Sequence, residues 1–160
     1  MDTGVKRDTK RIGTISELRV ALDLARAGYL VSFPVGENCR YDLVADNGEH
    51  LYRIQVKTGR LRKGVVVFNT VSSHSHRGGR YRMYTDEIDF FAIFCRDTDS
   101  TYLVPIAEMP VTQGMLRITK PLNNQTRKMR WAGQYLLFAG LGVGNGVPDA
   151  VAPLALIEPS

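Results

Sequence analysis

The sequence predicts one α/β domain, its clearest helix leading into a run of short strands. Three stretches carry this expectation: helical periodicity over Thr14–Ala27, two apolar runs joined by Asp46-Asn47-Gly48 within Asn38–Gly59, and the apolar run that closes Asp86–Cys95. With 160 residues, 44% of them hydrophobic, the chain can bury one core.

In the helix, Ile15, Leu18, Ala21, Leu22 and Ala25 recur at three- and four-residue spacing and predict an apolar stripe facing the core. Thr14 with Glu17 three residues on reads as a capping box, and Gly28 is placed to end the helix. Tyr29–Val35 reads as a strand at an edge, because Pro34 cannot donate to a ladder. The next two strands, joined at Asp46-Asn47-Gly48, suit a tight primed turn, since Asn and Gly tolerate positive φ. Thr58–Gly64 reads as a basic loop and Val65–Val71 as a β-branched strand. Asp86–Cys95 is expected to be central in the sheet. A turn at Asp97–Ser100, a strand over Thr101–Pro105, a helical turn over Ile106–Met109 and a strand over Met115–Ile118 follow.

The formal net charge of +5 gives a mild bias toward an anionic partner. Basic residues concentrate at Lys6–Arg11, Arg60–Lys63, Arg77–Arg82 and Arg127–Arg130, the last beside Trp131 and Tyr135, a mixture that suits a nucleic-acid surface. Two cysteines exclude a disulfide framework, no apolar leader opens the chain, and Gly and Pro interrupt the apolar stretch from Ala139 to Ile157, so neither secretion nor a membrane span is expected. The expected setting is a reducing cytoplasm. His74-Ser75-His76 has no third ligand nearby and does not predict a zinc site. The glycines at 140, 142, 144 and 146 neither follow a strand nor open a helix, so they do not predict a phosphate loop.

The polar residues of the hairpin call for a chemical reading. Asp42 stands at the start of one strand. Gln55 and Lys57, two apart on the other, project from one face. Pairing of the strands brings an acid, an amide and an amine to one end of a small sheet. Such a set suits metal-dependent cleavage of a phosphodiester. Mg²⁺ takes one or two carboxylates with phosphate oxygens and waters, a backbone carbonyl of Ile54 or Val56 can add a ligand, and a lysine can orient water or stabilise developing charge.

The order Glu17, Asp42, Gln55-Val56-Lys57 resembles the PD-(D/E)XK nuclease superfamily, in particular its group I intron-associated endonucleases. The blocks that carry the resemblance are Gly13-Thr14-x-x-Glu17, Asn38–Val44, Arg53–Gly59, Glu87–Ala92 and Tyr102–Pro105. The resemblance implies a restriction-endonuclease-like α/β core, a mixed central β-sheet flanked by helices in αβββαβ order. It also implies Mg²⁺-dependent hydrolysis of DNA, with Mn²⁺ as a substitute ion, by a homo-oligomer (dimer or tetramer) acting on double-stranded or branched DNA. Asp42 would bind metal, Lys57 would be the motif lysine and Glu17 the helical acid. Gln55 stands where the superfamily usually has Asp or Glu; it can coordinate a metal but removes one charge. The implied activity is a DNA endonuclease of homing type; the alternatives are a resolvase-like nuclease for branched DNA and a DNA-binding protein without catalysis. The expected organisation is a basic tail over 1–12, a nuclease domain over 13–138 and a Gly/Pro-rich tail over 139–160. Expected DNA contacts are Arg40, Arg60, Arg62, Lys63, Arg77, Arg80, Arg82, Arg127, Lys128 and Arg130.

Overall fold

A computed structural model describes residues 8–36, 38–71, 84–110, 112–121 and 129–139. The chain opens with helix α1 (Thr9–Arg26), followed by strands β1 (Leu30–Ser32), β2 (Leu43–Asp46), β3 (Leu51–Arg62), β4 (Val65–Asn69), β5 (Phe90–Cys95), β6 (Ser100–Pro105), β7 (Gln113–Arg117) and β8 (Leu136–Ala139). The main path of the sheet runs β1-β2-β3-β5-β6-β8, and β4 and β7 branch from β3. β3 and β5 are parallel and the other pairings are antiparallel, so the sheet is mixed, as expected. Among the described residues α1 is the only α-helix, and no helix is long and apolar enough to cross a membrane.

β5 organises the interior. All six of its residues are buried, and they alternate between two cores. Phe90, Ala92 and Phe94 pack with Val20 and Leu24 of α1, Leu43 and Ala45 of β2, and Ile54 and Val56 of β3. Phe91, Ile93 and Cys95 face the other way, with Val66, Phe68, Tyr84 and Leu116. Asp23 on α1 has no exposed surface. Its carboxylate accepts from Arg19 Nε at 3.1 Å and from Thr101 Oγ1 at 2.6 Å, which bolts the helix to β6.

Four expectations are corrected. First, α1 begins at Thr9 under an Asp8 cap, whose carboxylate accepts from Arg11 N; Thr14 lies inside the helix and its hydroxyl donates to the Lys10 carbonyl. The Thr14–Glu17 capping box is therefore absent. The far end is as expected: Gly28 takes φ 92° and its N–H reaches Ala25 O, while Tyr29 N reaches Leu24 O. Second, the apolar stripe faces mainly outward, with Ala21 packed against the core. Ile15, Leu18 and Leu22 are 48%, 60% and 47% exposed, and the buried positions are Ser16, Val20, Asp23 and Leu24. A carboxylate and a hydroxyl take core positions because each is hydrogen-bonded there. Third, Asp46 pairs with Leu51, so the β2–β3 connection is a four-residue loop over 47–50 and not a two-residue primed turn. Asn47 Oδ1 accepts from the N–H groups of Glu49 and His50, and that side chain does the turn's work. Fourth, Thr58–Arg62 is not a loop but the continuation of β3. The primed turn lies at Lys63 (φ 48°) and Gly64 (φ 75°), joining β3 to β4.

Candidate active site

The site forms where β3 passes from one strand partner to another. β2 pairs with β3 only as far as Ile54, and β4 takes β3 up from Arg60. Asp42 fills the gap. Its backbone N–H donates to the Ile54 carbonyl at 2.9 Å, continuing the ladder by one bond. Its carboxylate Oδ2 then accepts from Val56 N at 2.7 Å and from Gln55 Nε2 at 2.5 Å. A side chain thus satisfies a backbone donor that has lost its strand neighbour.

Lys57 follows Gln55 on the same face. Its Nζ donates to Tyr84 Oη at 3.1 Å, contacts the Val71 carbonyl at 3.5 Å and lies 4.8 Å from the Tyr84 ring centre. Tyr84 is buried, stands edge-on to Phe91 and carries the Arg40 guanidinium 4.3 Å from its ring centre. Glu17 arrives from α1 and lines a cleft with Asp42, Tyr41, Asn38 and Phe33. One residue before it, Ser16 Oγ lies 2.7 Å from Thr58 Oγ1, so the Glu17 turn of the helix is tied to β3 one residue beyond Lys57.

The electrostatics are those of charges gathered out of water. Burial raises Asp42 above the usual carboxylate range, against the opposing pull of the Val56 N–H, the Lys57 charge and the Gln55 amide. Burial also raises Glu17, and the Asp42 charge raises it further. Burial lowers Lys57 to about 8; Asp42 opposes that shift and Arg40 adds to it. Two carboxylates that disfavour each other's ionisation are a natural seat for a cation. Carboxylates, an amide and backbone carbonyls are oxygen donors of the kind that Mg²⁺ takes, so Asp42 and Glu17 could hold such an ion. Among the described residues no group of three or more His, Cys, Asp or Glu side chains gathers where it could hold a metal ion.

The structure brings together Glu17, Asp42, Gln55 and Lys57 and, of the five expected DNA contacts that it describes, sets Arg40 beside this group and Arg60, Arg62, Lys63 and Arg130 apart from it. Arg40 is ion-paired with Glu87 beside the site and does not project outward. Arg60 and Arg62 are exposed on β3 and Lys63 on the turn. Arg130 is half-buried, and its carbonyl accepts from Arg117 N. Arg77, Arg80, Arg82, Arg127 and Lys128 lie outside the described residues, as do the N-terminal basic cluster's Lys6 and Arg7 and the tail from 140. Sequence reasoning did not pick out Ser16, Thr58 or Tyr84. The Ser16–Thr58 contact joins residues 42 positions apart, which no local pattern displays.

A model of the PD-(D/E)XK endonuclease family matches residues 7–138. Among solved structures, the bacterial homing endonuclease I-Ssp6803I is similar with a TM-score of 0.67 at 21% identity, covering 81% of this chain and 88% of that one. Hjc, a Holliday junction resolvase from Archaeoglobus fulgidus, is similar at a TM-score of 0.41 and 17% identity, over 66% of this chain and 84% of that one. A search of curated proteins finds no match. The likeness to I-Ssp6803I supports the fold, and the family match spans both arms of β3, α1 and the loop that bears Asp42: the chain belongs to the PD-(D/E)XK endonuclease family.

Proposed function

We propose that the protein is a Mg²⁺-dependent endonuclease that hydrolyses phosphodiester bonds of duplex DNA, of homing type. The observation that carries this reading is the Asp42 carboxylate, fixed on the Val56 N–H and the Gln55 amide with Lys57 on the same face. Asp42 and Glu17 would hold the metal, the Gln55 Oε1 would add a neutral donor, and a backbone carbonyl such as that of Val56 would complete the protein's share. The metal, when bound, would acidify water and stabilise charge on the scissile phosphate. Gln55 turns its Nε2 toward Asp42 and so fixes the carboxylate's orientation. Lys57, held by Tyr84 on a buried floor, places a donor where the attacking water and the phosphate oxygens would lie. Residues 13–138 form the nuclease unit in this reading, and a DNA substrate puts the protein with the nucleoid in the cytoplasm.

One such site cuts one strand, and a double-strand cut most simply pairs two subunits. The outward stripe of Ile15, Leu18 and Leu22 supports a homo-oligomer, because apolar side chains at that spacing on one helix face suit a second copy of the same helix.

The test is cleavage of a library of duplex and branched DNA with Mg²⁺ or Mn²⁺. Wild-type protein cuts duplex DNA, and Asp42→Ala and Lys57→Ala bind it without cutting. Cleavage confined to branched substrates would favour the resolvase-like reading. Binding without any cleavage by wild-type protein would favour a DNA-binding module, for which the missing charge at Gln55 speaks.

A further inference from the structure

The outer arm of β3 builds a second surface, on which the nuclease chemistry makes no demand. Arg60–Arg62 pairs with β4, and β4 pairs along its whole length with β7. Residues opposite one another share a face. Val66, Phe68 and Leu116 point inward and are buried in the core beneath. The other face is open. On it, Arg62 and Arg117 flank β4 in one row, Arg60 and Met115 flank it in the next, and Asn69 stands opposite Gln113 in the last. Met115 is 53% exposed, and Arg60, Arg62, Asn69 and Gln113 are exposed as well. Arg117 Nε donates to the Thr119 carbonyl at 2.9 Å, which steadies its guanidinium on this face. Among the described residues neither Arg60 nor Arg62 is in an ion pair, and residues 60–62, 65–69 and 113–117 contain no acid.

We propose that this face of the β3–β4–β7 sheet reads base edges in the major groove of duplex DNA. The proposal rests on the nuclease reading for its ligand and goes beyond it in assigning where sequence is read. Three arginines complement a polyanion, with one carboxylate beside them at the strand's edge, Asp97, whose Oδ2 accepts from Leu61 N at 2.8 Å. Val65 and Val67, half-buried, hold the middle of the face, and the side chains around them suit base edges: Arg pairs with guanine, Asn and Gln with adenine, and an apolar tip such as Met115 packs on a thymine methyl. Strands about 4.8 Å apart make a sheet about 10 Å wide between its outer strands, comparable with a major groove about 12 Å across. At about 3.3 Å per residue, Arg60 and Arg62 lie about 10 and 17 Å along β3 from Lys57, and by alternation they project from the opposite face of the strand, the one on which Ile54 and Val56 pack under α1.

The experiment selects bound sequences from a randomised duplex pool and measures affinity against salt, with wild-type protein free of divalent metal and with Asp42→Ala. In each background Arg60→Ala, Asn69→Ala and Gln113→Ala are compared. These positions are exposed, so the variants should melt with the parent protein, and that is checked first. The expected result is base preference lost at one or two positions per variant, with about a tenfold fall in discrimination there. The slope of log affinity against log salt should hold for Asn69→Ala and Gln113→Ala. An unchanged sequence preference in all three variants would overturn the proposal. So would a uniform loss in Arg60→Ala, with a slope reduced by about 0.9 and preference intact, which marks a phosphate contact only. Absence of duplex binding by the parent protein would overturn it too. Selective binding that these variants alter, with no cleavage by wild-type protein under Mg²⁺, would sink the nuclease reading and leave this one standing.

Discussion

The two arms of β3 differ in what surrounds them. The inner arm pairs with β2 as far as Ile54 and with β5 from Ile54 to Gly59, buries Ile54 and Val56, and presents Gln55 and Lys57 to Asp42 and Tyr84. The outer arm pairs with β4 for three residues and exposes all three of its side chains. One strand therefore joins a packed region, where charges are held by hydrogen bonds, to an open one, where they meet solvent. Substitutions on the inner arm should change chemistry or stability; those on the outer arm should change affinity and selectivity.

The largest effect is expected from the inner arm. Lys57→Ala and Asp42→Ala should each lower the cleavage rate by about a thousandfold or more in a single-turnover assay while duplex binding persists, since each removes preorganised charge from the reacting centre. Arg60→Ala under the same assay should leave the saturated cleavage rate within about twofold. A thousandfold loss there would erase the distinction between the arms.

Stability should also divide along the strand. Gly59 packs so closely that a methyl would meet Val66 Cγ1 at 2.7 Å and Ile93 Cγ2 at 2.8 Å, both branched side chains in a closed core. Gly59→Ala should cost about 1–3 kcal/mol in denaturant unfolding. Asp23→Ala should cost about 1–3 kcal/mol, because it leaves the buried Thr101 hydroxyl without its acceptor, while Arg19 keeps Asp99. Arg62→Ala, exposed on the outer arm, should fall within about 0.5 kcal/mol of wild type. Equal costs at Gly59 and Arg62 would show that the arms are packed alike.

The third expectation concerns pH. Glu17 sits above its ordinary range through burial and the Asp42 charge. A carboxyl whose folded pKa is raised contributes stability below its unfolded pKa and loses it as pH rises through the folded value. Glu17→Gln should thus raise the melting temperature of metal-free protein at pH 7, with the gain vanishing below the ordinary carboxylate range. Mg²⁺ should stabilise wild-type protein more than the variant. A variant less stable than wild type at pH 7 without metal would mean that Glu17 is held there by an interaction other than the metal's. The smallest effect is expected at the helix surface. Leu18→Glu should leave cleavage of one strand unchanged and lower the solution mass, measured by light scattering. An unchanged mass would leave the outward stripe without a partner.

The strands before β8 and the convergence of Asp42, Gln55 and Lys57 were legible because they depend on period-two alternation and on residue types that are costly to bury without a purpose. The central position of the Phe90–Cys95 run was legible for the same reason, since a strand apolar on both faces fits only the middle of a sheet. The helix face was not. Periodicity finds an apolar stripe but does not say whether it meets this chain's core or something else, and Asp23 reads as a surface residue until Arg19 and Thr101 are brought to it. The capping box failed because Asp8 offered an equivalent cap one and a half turns earlier. That failure bears on Glu17: with no capping work to do, its position beside Asp42 loses its purely structural explanation. The turn at Lys63-Gly64 was missed because a positively charged run between strands looks like a loop. β8 was missed because its only cue is the short apolar run Leu136–Ala139, and its partner strand β6 is distant in sequence.

The bond from Val56 N to the Asp42 carboxylate has a consequence for folding fidelity. In a pleated strand a slip of one residue exchanges the two faces. Were β3 to slip by one against β2 and β5, Gln55 and Lys57 would turn into the apolar core under α1, while Ile54 and Val56 would face the cleft. The Asp42 carboxylate would then meet a different N–H with no amide beside it. The two cores on either side of β5 thus act as a proofreading frame: the arrangement that buries the apolar residues is the same one that assembles the acid, the amide and the amine. A molecule that has folded in register has its site built already, with no separate step left to set it.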